Sequence, residues 1–121
     1  CFLFASIGCS SIPKEIPSDI TIEELTREAQ NAFDRGQYKL AEPSYNAAIS
    51  RAINNTQQLL FVEYELAHMY TKQKKYDLAL PILERLKSYY ENPTEIQYPA
   101  AYKKLIEINI NKIKESSKKT K

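Results

Sequence analysis

Apolar and polar positions follow a helical period along most of the chain. From Ile22 onward, Leu25, Ala29, Ala32 and Phe33 fall on one face of a helix. Thr21 and Glu24 have the spacing of a capping box, Ile20 can staple onto Leu25, and Gly36 ends the pattern. A second helical pattern runs through Tyr38, Ala41, Tyr45, Ala48, Ile49 and Ala52 and frays at Asn54-Asn55. So short a connection makes the two helices antiparallel, a hairpin over 21–54. A second hairpin is expected over 56–91, with helices from about Thr56 to Gln73 and from about Asp77 to Tyr90. Its Leu59-Leu60-Phe61-Val62 run is apolar on more than one face, so this helix is either central or partly open to a partner. A last helix is expected over 95–115, opening near Tyr98-Pro99. Tyr98, Ala101, Leu105 and Ile108 form its apolar face, which Tyr102, Ile106 and Ile113 broaden. LIEININ also alternates as a strand would, but no partner strand exists, so helix is expected. Residues 116–121 read as a basic, disordered tail that aids solubility.

The two hairpins repeat. Sliding the chain by 38 residues places Ala29 on Ala67, Tyr38 on Tyr76, Leu40 on Leu78, Ala41 on Ala79, Pro43 on Pro81 and Ser50 on Ser88. Both prolines come about five residues into a helix, where one intrahelical hydrogen bond at most is given up; deeper in, proline costs ~3 kcal/mol or more. A repeated helical hairpin near this period is the signature of an α-solenoid.

These residues resemble the tetratricopeptide repeat (TPR) family, whose period is about 34 residues. In the first copy Ala29, Phe33, Gly36, Tyr38, Ala41, Tyr45 and Ala48 match its pattern; in the second, Leu66-Ala67, Tyr70, Ala79 and Leu83 do. Glu63 replaces the family's tryptophan, Glu28 a leucine, and the repeat is longer by four residues around Asn54-Asn55-Thr56. The expected fold is therefore all-α: an α-solenoid of two TPR-like hairpins with a capping helix, the domain spanning 21–115.

Composition agrees with helices. Two glycines in 121 residues argue against a turn-rich β-fold. With 17 basic and 15 acidic residues the net charge of +2 implies no phosphate-binding field, so no nucleic-acid partner is expected. No Ser/His/Asp or Cys/His set, glycine-rich phosphate loop or paired carboxylates can be assembled, and His68 is the single histidine. Neither an enzyme, a metal, a cofactor nor a small-molecule substrate is expected.

The N-terminal run is apolar and uncharged up to Gly8, far short of the about 20 residues that span a bilayer. It reads as a residual signal-peptide segment, 1–8. Ser6-Ile7-Gly8-Cys9 resembles a relaxed bacterial lipoprotein box, in which the cysteine carries the lipid, although the usual leucine is Ser6. Cys9 is then the lipidation site, 9–20 a flexible tether, and the serine that follows points to the periplasmic face of the outer membrane. The other reading is a buried N-terminal segment with two idle thiols.

In tetratricopeptide proteins the first helices of successive hairpins line a concave groove. Helical geometry and the resemblance place Thr26, Gln30, Phe33 and Asp34 there from one copy, and Phe61, Tyr64, His68, Thr71 and Lys72 from the other. Rings with scattered polar groups suit a peptide segment; plain packing accounts for Phe33, Phe61 and Tyr64 equally well. A lipidated cysteine, a short tether and a repeat array resemble the BamD-type lipoproteins of outer-membrane β-barrel assembly. Cys9, Ala29, Gly36-Gln37-Tyr38, Ala41, Tyr76, Ala79 and the stretch Tyr98–Leu105 carry that resemblance. It implies a non-catalytic scaffold that holds the periplasmic domains of a BamA-type protein, unfolded barrel proteins, or both, with the membrane reached through the lipid. BamD proteins are about twice as long, and dock largely through a C-terminal half that this sequence does not include. Another envelope tetratricopeptide lipoprotein, serving pilus or secretin assembly, and a cytosolic adaptor are the alternatives.

Overall fold

Local chemistry sets the helix boundaries. The computed structural model describes residues 16–92 and 97–119. It contains α1 Ile22–Asp34, α2 Tyr38–Arg51, α3 Thr56–Lys72, α4 Tyr76–Glu91 and α5 Ala100–Lys119, with no strand among the described residues. Thr21 opens α1 through the expected capping box: the Glu24 amide donates to Thr21 Oγ1 at 3.1 Å and the Thr21 amide to Glu24 Oε2 at 3.0 Å. Residues 1–15, 93–96 and 120–121 lie outside the described residues, and with them the signal-peptide segment, Cys9 and most of the tether.

The tether's end is held. Arg51 of α2 donates to the Ile20 carbonyl and, at 2.7 Å, to that of Pro17, and Ile16 and Ile20 pack against the core. Residues 16–20 are thus part of the folded unit, where a free tether was expected.

Each helix packs on its successor, and α3 also meets α1 and α5. Two hairpins therefore stack in series and α5 closes the stack. Because α3 touches all four other helices, its doubly apolar run is central: Leu60 and Val62 are fully buried. Ala29, Ala41, Ala67 and Ala79 are each 0% exposed, small residues that let neighbouring backbones approach. Arg85 of α4 grips Glu63 of α3 with two nitrogens, at 2.9 and 2.7 Å, so the two helices of the second hairpin are tied by a bidentate ion pair.

The two hairpin turns are copies in backbone geometry. After α1, the Gly36 amide bonds the Phe33 carbonyl and that of Gln37 the Ala32 carbonyl, both at 2.8 Å. After α3, Lys74 bonds Thr71 at 3.0 Å and Lys75 bonds Tyr70 at 2.9 Å. Both are Schellman closures. The left-handed position is Gly36 (φ 74°) in one and Lys74 (φ 62°) in the other. A left-handed L-residue costs about 1–2 kcal/mol, and glycine's extra freedom in the unfolded chain returns only part of that. Lys74→Gly is therefore expected to stabilise the fold by about 0.5–1 kcal/mol, read as a higher urea midpoint; a lower midpoint would show the lysine side chain to be structural.

Pro43 and Pro81 are internal to α2 and α4, and both are exposed. The carbonyls they leave without a helical partner belong to Lys39 and Asp77, also exposed, so water can take the place of the missing amide.

The last helix departs from expectation twice. It runs to Lys119, so the disordered tail expected from residue 116 is helical through 119. Ile113 is buried and the Tyr76 hydroxyl donates to Ser116 Oγ at 3.3 Å, which fastens this end to α4. Its inward face is also the secondary one. Ile106, Asn109, Ile110 and Ile113 are buried, whereas Ala101, Leu105 and Ile108 stay exposed.

Candidate functional site

The side chains that converge come from α1, α3 and the rim of α5. Gln30, Asn31, Phe33 and Asp34, with Tyr64, Glu65, His68 and Leu105, line a cleft of about 410 Å³. The expected groove residues Gln30, Phe33, Asp34, Tyr64 and His68 thus share one site.

Its aromatic wall is continuous. Phe33 meets His68 edge-on at 5.8 Å, His68 stacks on Tyr64 at 5.7 Å, and Tyr64 meets Tyr102 of α5 at 5.5 Å. These separations are those of favourable ring pairs. Asn109 locks the arrangement from behind: its Nδ2 donates to the Tyr64 hydroxyl at 3.0 Å and to the Leu105 carbonyl at 2.9 Å. Its Oδ1 lies 3.2 Å from His68 Nδ1, and an amide oxygen only accepts, so the proton sits on Nδ1.

The lining also carries two carboxylates, Asp34 and Glu65. Glu65 accepts from Gln30 Nε2 at 3.3 Å. Burial pushes its carboxyl above the usual range, opposed by the Gln30 hydrogen bond and the nearby His68. Burial likewise raises Tyr64, and Tyr102 to about 12, with the charge of Glu65 adding to both. These phenols stay neutral near pH 7 and act as rings and hydrogen-bond partners.

The other expected residues sit elsewhere. Thr26 and Thr71 are 4% and 2% exposed, and each hydroxyl donates to a carbonyl one turn back, Ile22 at 2.7 Å and Ala67 at 2.8 Å. Threonine that bonds its own helix packs as an apolar residue does, so both belong to the packed interior and neither lines the main cleft. Phe61 packs edge-on against Tyr102 at 5.6 Å and lines a smaller cavity of about 160 Å³ with Thr26, Gln30 and Gln58. Lys72 is exposed and lines neither. Sequence reasoning missed Asn31, Glu65, Leu105 and the supporting Asn109. Glu65 had a signal: it falls between Phe61 and His68 on the same face of α3.

No family model and no solved structure matches the chain. It is 33% identical over 115 residues to an uncharacterized protein of Treponema pallidum (strain Nichols), a match that takes in 93% of this chain and 45% of that relative. The chain thus spans less than half the length of the curated relative it matches. Among the described residues no helix is long and apolar enough to cross a membrane.

Proposed function

We propose that this protein is a non-catalytic adaptor that holds a polypeptide segment in the cleft between α1, α3 and α5. The observation that carries this reading is the cleft's make-up: rings of Phe33 and Tyr64 and the carboxylates of Asp34 and Glu65 in one lining, with Leu105 beside them. Rings offer apolar area at small entropic loss, and the acid groups favour a segment that brings cationic or amide donors. The resemblance to tetratricopeptide lipoproteins gives the finer form of the proposal. There Cys9 carries a lipid on the periplasmic face of the outer membrane, and the cleft serves β-barrel assembly by engaging a BamA-type protein or unfolded barrel proteins.

Affinity capture from detergent extracts of the cell envelope tests both levels. Wild type should retain a BamA-type protein, and Phe33→Ala with Asp34→Lys should retain about tenfold less. Capture that ignores both substitutions would remove the cleft from the reading, and an eluate without a BamA-type protein would remove the assembly role. Palmitate labelling that survives Cys9→Ala would remove the anchor.

A further inference from the structure

At the opposite pole from the Arg51-clamped N-terminal approach, stacking sets the two hairpin turns side by side. Gly36, Gln37, Tyr38, Lys39 and Leu40 of the first line a hollow of about 430 Å³ together with Gln73 and Lys75 of the second. Residues 34–40 and 72–78 carry five cations, Arg35, Lys39, Lys72, Lys74 and Lys75, against the two carboxylates Asp34 and Asp77. The whole chain has a net charge of only +2, so this edge is a locally basic segment, as are residues 112–121. Among the described residues none of the five cations is in an ion pair; the pairs found there are Arg85–Glu63 and Lys87–Glu91. The Tyr76–Ser116 hydrogen bond brings the last turn of α5, with exposed Lys118, to the same end.

Apolar side chains stand among these charges. Leu40 is 62% exposed and Leu78 45%, and they occupy equivalent positions of the two units, 38 residues apart. Stacked units present equivalent positions along one edge, so the leucines form a repeated feature. One of the five cations, Lys74, also has an unusual backbone. It holds a left-handed backbone where the matching residue is Gly36, so a charge is kept at a position that glycine would fill without strain.

We infer that this turn edge is a docking surface for a bilayer leaflet rich in anionic lipid. An acidic peptide would answer the cations but gives no reason for two exposed leucines at the repeat period. A leaflet answers both, with phosphates at its surface and hydrocarbon just beneath. Basic residues near such a surface each contribute measurably, and apolar side chains add by insertion. This inference is independent of the cleft and of any acyl group on Cys9.

The test uses the full chain carrying Cys9→Ser, so that no lipid of its own contributes, and sedimentation with vesicles of phosphatidylcholine alone or with about a third phosphatidylglycerol. Binding should be about tenfold tighter to the anionic vesicles and should weaken with salt. Lys39→Glu with Lys75→Glu should lower it about tenfold. Leu40→Ser with Leu78→Ser should lower it about fivefold while retaining the preference for anionic vesicles. Lys103→Glu with Lys104→Glu, on α5, is the control of equal charge change and should shift binding less than about twofold. All six positions are exposed, so folded helix content checked by circular dichroism keeps the comparison valid. Equal binding to both vesicle types, or equal loss in the control, would overturn the inference. So would tight binding to polyglutamate or single-stranded RNA by a chain that leaves the vesicles untouched.

Discussion

Tyr45→Ala is expected to destabilise the protein by about 3–5 kcal/mol, whereas Tyr45→Phe should stabilise it by about 1 kcal/mol. The opposite signs separate ring from hydroxyl. Tyr45 is 0% exposed and among the largest wholly buried side chains, so truncation empties the space between α2 and its neighbours. Its hydroxyl, in contrast, is buried without a hydrogen-bond partner. Burial, reinforced by the charges of Glu65 and Asp34, pushes that phenol far above its ordinary value, so it stays protonated throughout the accessible range. A buried polar group without a partner costs about 1–3 kcal/mol, which phenylalanine avoids while keeping the ring. Urea denaturation measures both variants. A total stability of about 5–15 kcal/mol leaves the alanine variant marginal, so the phenylalanine variant is the sharper test. A loss of more than about 1 kcal/mol there would show that the hydroxyl is bonded after all.

What the sequence disclosed was mostly local. The capping box at Thr21 and Glu24 and the stop at Gly36 rest on residues within one turn of each other, and both are found as expected. The stacking of two hairpins was also legible, because the 38-residue register repeats small residues, Ala29 with Ala67 and Ala41 with Ala79, at buried positions. The second left-handed turn was not, since Lys74 lacks the glycine signal and shows itself only through its place opposite Gly36. The rotation of α5 depended on a choice among apolar faces. Ala101, Leu105 and Ile108 satisfy helical spacing as well as Ile106, Ile110 and Ile113 do, and periodicity cannot rank them. The same limit applies to the cleft: spacing, together with the repeat resemblance, pointed to Gln30, Phe33, Asp34, Tyr64 and His68. It could not know that the hydroxyls of Thr26 and Thr71 bond their own helices, or that Glu65 is drawn inward by Gln30.

Asn109 lies on the inward face of α5, and its replacement by leucine is expected to cost about 2–4 kcal/mol even though leucine is a better helix former and apolar. Asn109 is 5% exposed in a helix face otherwise made of isoleucines. One amide satisfies the Tyr64 hydroxyl, His68 Nδ1 and the Leu105 carbonyl. Tyr64 is itself only 4% exposed, so leucine would leave its hydroxyl buried and alone, the costly half of a broken hydrogen bond. Tyr64→Phe in the same chain removes the orphaned group, so the double variant should recover about 1–2 kcal/mol relative to Asn109→Leu alone. The cycle also bears on the cleft, because the ring stack of Phe33, His68 and Tyr64 is held in place through the same amide. A partner that reads those rings should bind Asn109→Leu about tenfold more weakly at temperatures where the variant remains folded. Additive effects of Asn109→Leu and Tyr64→Phe on stability would dismiss the network and leave α5 held to α3 by its isoleucines and the Tyr102 ring contacts.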